Sequence, residues 1–136
     1  MYLHPKSGGN LGEFVAMDLS GKILWKYRQR ATFNSTTLTT AGDLAFIGDW
    51  NRYIDAFDAK TGDLLWQTRA GASVQGGIIT YAVHGRQYLA VPIGTGASSW
   101  ANQAPMQATP ELTRPRHGNA VVVFALPSPP PRPRTQ

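Results

Sequence analysis

At 136 residues, with 42% hydrophobic and only 15% charged residues, the chain has the length and apolar content of one ordinary domain. No apolar run approaches the roughly 18–20 residues a membrane span needs, and with no cysteine there is neither a disulfide framework nor a thiolate metal site. The net charge of +5 includes Arg132 and Arg134 in the tail and forms no Lys/Arg stripe elsewhere, which argues against a nucleic-acid-binding face.

In chain order, residues 1–11 are polar and glycine-rich and are expected to pack poorly; they lack the apolar stretch of a signal peptide. Residues 13–19 and 22–28 alternate well enough for two strands joined by a tight turn at Ser20-Gly21. The β-branched run 35–40 predicts a third strand, and Ala41-Gly42 turns the chain into a fourth at 43–48. A loop at 49–51 leads to a strand at 52–59, and Lys60, Thr61 and Gly62 turn it into another at 63–69. Residues 75–83 and 87–93 read as a hairpin across His84-Gly85. Residues 95–118, with Pro105, Pro110 and Pro115, read as a long extended loop, and 119–126 as a final strand. Five prolines among the ten residues 127–136 predict a disordered or polyproline-II tail.

Part of this pattern occurs twice. Residues 14–25 read F-V-A-M-D-L-S-G-K-I-L-W and residues 54–66 read I-D-A-F-D-A-K-T-G-D-L-L-W. Ala16 matches Ala56, Asp18 matches Asp58, Gly21 matches Gly62, Leu24 matches Leu65 and Trp25 matches Trp66. The offset is 40 before the turn and 41 after it. Such a period, with short strands and turn glycines, predicts an all-β fold of repeated four-stranded units, a partial β-propeller. With strands lettered A to D from the axis outward, residues 12–127 supply C-D, then A-B-C-D, then A-B-C. That is a half blade, a full blade and a three-stranded last blade. Open sheet edges expose unpaired backbone groups. The chain is therefore expected to be a piece of a larger ring, or to pair with something else, including itself. Structural work accounts for the repeated residues. The alanines leave room for an aromatic, the glycines permit a positive φ, the aspartates accept from turn amides, and the tryptophans suit packing between blades. Neither aspartate is assigned a catalytic role.

These residues resemble the tryptophan-docking repeats of the quinoprotein dehydrogenases, eight-bladed propellers that oxidise alcohols or sugars with pyrroloquinoline quinone (PQQ). The stretch L-T-T-A-G-D-L-A-F-I-G-D-W-N-R-Y-I-D-A-F-D-A-K-T-G-D-L-L-W (38–66) resembles a late-blade signature of that family. T-Y-A-V-H-G-R-Q-Y-L-A-V (80–91) resembles the segment that follows, and G-N-A-V-V-V-F-A-L-P (118–127) the C-terminal strand. The resemblance implies the C-terminal blades of such an enzyme, which contribute to a cofactor pocket wall and to ring closure. In the whole enzyme it implies PQQ and a calcium ion, a periplasmic location, and hydride transfer from a small alcohol or sugar to the quinone. The implied partners are the remaining blades and the substrate, with no nucleic acid and no membrane span. A second reading is a non-catalytic propeller scaffold of outer-membrane assembly or protein interaction. A third is a stand-alone β domain that oligomerises.

Strand order puts the D-to-A and B-to-C connections on one face, so 31–34, 49–51, 71–74 and 95–117 are expected to gather there. The resemblance places the quinone near the axis on that face. Asn34 stands where the family usually has Trp or Asn near the quinone; its carboxamide would bond the quinone's carboxylates or carbonyls, or else it caps a turn. Trp100 ends G-T-G-A-S-S-W, which resembles the family's closing loop with a Trp near the cofactor; otherwise it anchors the loop. Gly94 and Gly96 would let backbone approach a ligand, whereas Trp50 and Asn51 read as surface or blade packing. The family's catalytic Asp, calcium carboxylates, vicinal disulfide and quinone-clamping Arg have no matching positions here. This chain is thus expected to carry no catalytic residue or metal ligand and to be inactive alone. His4, His84 and His117 lack metal-ligand spacing.

Overall fold

The computed structural model describes residues 3–94, 106–112, 115 and 117–127. Among them, nine strands form three antiparallel sheets that follow one another in the sequence. The first pairs β1 (Gly12–Met17) with β2 (Ile23–Gln29). The second runs in order through β3 (Leu38–Thr39), β4 (Leu44–Gly48), β5 (Tyr53–Asp58) and β6 (Leu64–Arg69). The third runs β7 (Ile79–Val83), β8 (Arg86–Ile93), β9 (Ala120–Ala125). The partial propeller stands as stacked blades.

The repeated residues do the local work their chemistry suggests. The Asp18 carboxylate accepts from Ser20 N at 2.9 Å and Lys22 N at 3.0 Å. The Asp58 carboxylate accepts from Lys60 N at 2.8 Å and Thr61 N at 2.9 Å. These bonds favour the ionised form and hold both carboxyls below the usual range, led by the Ser20 hydroxyl for Asp18 and the Thr61 amide for Asp58. Ala16 pairs across the ladder with Trp25, and Ala56 with Trp66, so a methyl group faces each indole. The register shifts one residue later in both sheets, between Ala16 and Met17 and between Ala56 and Phe57. A bulge there raises the local twist, at the same step of each repeat.

Trp25 joins the first sheet to the second. Its Nε1 donates to Ala59 O at 2.9 Å, on the turn after β5. Its ring lies over Gly62, meets Phe14 edge-on at 5.2 Å and stacks on Phe57 at 6.2 Å. The fully buried Phe57, with Ala45 and Ile47, is the centre of the core between these sheets, where Tyr27 also meets it at 4.8 Å. A larger core of Phe46, Ile54, Val74, Ile78, Leu89 and Val91 joins the second sheet to the third. Alternation along β5 divides these roles, with Phe57 turned to the first sheet and Ile54 and Ala56 to the third. Trp66 has the same place in its repeat but is 40% exposed; among the described residues its ring meets Phe124 edge-on at 5.4 Å.

Two expectations need correction. The strand expected at 35–40 is only Leu38–Thr39, because Ser35 and Thr36 turn to the neighbouring sheet. Ser35 forms a parallel bridge with Gly76, and Thr36 N donates to Gly76 O at 2.9 Å. The connection expected to be extended throughout is helical at 106–108. No helix among the described residues is long and apolar enough to cross a membrane.

Candidate functional site

The connections that leave the same end of the sheets gather as strand order requires. Trp50 N donates to Thr32 O at 2.9 Å, and Phe33 bridges Asp49. Val74 N donates to Asp49 O at 3.0 Å, the Ser73 hydroxyl to Trp50 O at 2.7 Å, and Gly94 N to Ser73 O at 2.8 Å. Four successive connections are therefore tied, link by link, into one loop face.

Asn34 lies on this face, half-buried, with its backbone N–H donating to Gly48 O at 3.2 Å. The next residue bridges to Gly76 of the β6–β7 connection, so Asn34 stands beside the chain that leads into the third sheet. Trp100 and Gly96 lie outside the described residues. The Gly94 backbone is already engaged, its carbonyl accepting from Gln75 Nε2 at 3.1 Å. Trp50 is 1% exposed, with its backbone tied to Thr32 and Ser73, while the Asn51 side chain accepts from Arg69 Nη2 at 3.1 Å. His84 is exposed in the β7–β8 turn. Among the described residues no group of three or more His, Cys, Asp or Glu side chains is placed to hold a metal.

Two buried carboxyls behind the face were not singled out from sequence. Asp49 accepts from Tyr53 N at 2.7 Å and, across the sheets, from Gln29 Nε2 at 2.9 Å. Burial pushes its carboxyl up to about 6; the bond from Tyr53 opposes the rise, the Asp55 carboxylate adds to it, and the bond from Gln29 opposes it. Asp55, fully buried in β5, accepts from Gln67 Nε2 at 2.9 Å, and among the described residues its Oδ2 has no hydrogen-bond partner. Burial raises its carboxyl as well, against the bond from Gln67. Tyr27 stands near both, its hydroxyl raised first by burial and then by Asp55 and Asp49. One signal was available. Asp55 shares β5 alternation with Phe57, so period two points it to the first sheet rather than to water.

Sheets stacked on one another, the first two through the docked Trp25, with a loop face at one end, define a segment of a β-propeller. Residues 9–89 match the PQQ family described as the beta-propeller domain of glucose/ethanol/alcohol dehydrogenase, and the chain belongs to that family. It is 37% identical over 123 residues to a quinoprotein ethanol dehydrogenase of Pseudomonas aeruginosa, covering 88% of this chain and 19% of that one. It is 37% identical over 102 residues to a lanthanide-dependent methanol dehydrogenase of Methylorubrum extorquens, covering 74% and 17%. The solved structure of a europium-containing methanol dehydrogenase superposes with a TM-score of 0.72 at 32% identity, covering 84% of this chain and 23% of that one. The chain thus spans about a fifth of the length of the curated relatives it matches.

Proposed function

We propose that the chain acts as the C-terminal section of a PQQ-dependent dehydrogenase that oxidises an alcohol or sugar, walling the cofactor pocket and helping to close the ring. The observation that carries this reading is the loop face, with Asn34 beside the chain that leads into the third sheet, in a protein of this family. The Asn34 carboxamide offers the quinone's carboxylates or carbonyls one hydrogen bond. Bound there, the quinone would supply the two-electron acceptor. Trp100 and Gly96 are sequence-level candidates for the same pocket.

In this reading calcium or a lanthanide would be held by other blades, because the family's calcium carboxylates have no matching positions in this sequence. Those blades are the partners this reading requires. Among the described residues β9 ends the third sheet, and a strand from another blade would pair along that edge. An export route to the periplasm follows from the same reading.

Quinone titration of the ring completed by the other blades, followed by tryptophan fluorescence, tests the site. A hydrogen bond to a charged group contributes about 1.5–3 kcal/mol, so Asn34→Ala should weaken quinone binding by about tenfold or more. Equal affinity in both proteins would remove Asn34 from the pocket.

A further inference from the structure

The connection between β8 and β9 meets the loop face at both its ends. It leaves at Gly94, beside Ser73 of the β6–β7 connection, and returns at Gly118, beside Ala72. Between these points, residues 108–111 reach the start of the β2–β3 connection, where Arg30 holds them. Arg30 Nη2 donates to Ala108 O at 2.6 Å, and Nε donates to the Glu111 carboxylate at 2.6 Å. Nη1 donates to Gly9 O at 2.5 Å. One guanidinium thus ties together three segments: the chain before β1, the connection that carries Asn34, and the far reach of the β8–β9 connection. The planar fork of arginine suits this, since it can meet two carbonyls and a carboxylate at once. The held segment has its own internal order, with Leu112 N donating to Thr109 O at 3.0 Å and Thr109 buried.

We infer that Arg30 is a positioning residue. It pins residues 108–111 beside the connection that carries Asn34, and so fixes the shape of the loop face toward the quinone. The second half of this inference rests on the cofactor reading above. Arg30 and Glu111 are both substantially exposed, so the pair adds little to global stability. Its value is geometric. The Arg30 guanidinium holds the Glu111 carboxyl below the usual range, so the contact persists at neutral pH.

Hydrogen exchange followed by mass spectrometry tests the anchor on the full chain, with the sheets as internal control. In Arg30→Ala, exchange in the 106–112 peptide should rise about tenfold while β4 and β5 keep their protection. Arg30→Lys should resemble the alanine variant, because an ammonium cannot meet all three partners. Unchanged exchange at 106–112, an equal rise in every sheet, or full rescue by lysine overturns the inference. Quinone titration of the same variants in the completed ring gives the second readout. Arg30→Ala should weaken binding at least fivefold, and wild-type affinity in a variant with a freed 106–112 segment overturns the link to the pocket. A wild-type ring, completed by the other blades, without quinone affinity overturns the cofactor reading and with it that link, whereas the exchange result decides the anchor by itself.

Discussion

Gly62→Ala should destabilise the chain by about 3 kcal/mol, and Gly21→Ala by only about 1 kcal/mol. The two glycines hold the same place in the repeat and have nearly the same backbone, with φ of 80° and 85°. A left-handed φ costs an alanine roughly 1–2 kcal/mol at either position. The surroundings differ. A Cβ on Gly21 would meet nothing within 4 Å, whereas one on Gly62 would stand 2.6 Å from Trp25 Cδ2. The indole would have to lift, stretching its bond to Ala59 O and parting from Phe57. A lost hydrogen bond and an overpacked contact add about 2 kcal/mol. Urea unfolding of the two variants therefore measures tryptophan docking inside one molecule. Equal losses at the two positions would mean that the docked indole contributes nothing.

Asp49→Asn should stabilise the chain at neutral pH by about 2 kcal/mol, with a gain that fades on acidification. The Asp49 carboxyl is pushed up to about 6, from an ordinary 3.8, chiefly by burial. A group whose folded pKa is raised favours folding when protonated. Its contribution is therefore greatest below the ordinary value, falls as pH rises from about 4 to about 6, and stays lost above that. A shift of this size corresponds to at most about 3 kcal/mol. Asparagine removes the charge and still offers an oxygen to Tyr53 N, and Gln29 can turn its amide to match. Urea unfolding at pH 4.5 and pH 7.5 should show a large difference between wild type and variant at the higher pH and a small one at the lower. A difference that does not change with pH would mean that Asp49 is not the group responsible.

The fold was legible wherever residues within one turn decide the backbone. Asp18 with Gly21, and Asp58 with Gly62, specify turns through bonds that span at most four residues, and the Ala-to-Trp spacing set the cross-strand pairs. The gathering of the loops followed from strand order alone. What sequence missed depends on contacts between sheets. Ser35 and Thr36 have strand-forming side chains, but their backbones pair with Gly76, about forty residues away. Asp49 reads as a loop residue until Gln29 of another sheet is seen to hold it. Asp55 is polar in composition but lies inside by alternation, and its burial shows only in three dimensions. The three-way hold of Arg30 joins positions 9, 30, 108 and 111, which no local pattern connects.

The claim that these sheets are the closing blades of a larger quinoprotein ring is tested most directly by reading the coding DNA immediately upstream of the Met1 codon. The account predicts an in-frame continuation that encodes further A-x-D-x-x-x-G-x-x-x-W repeats and an export signal. A stop codon and a ribosome-binding site directly before Met1 would contradict it, and would make the chain an independent small protein whose open sheet edges must be closed by something other than its own earlier blades.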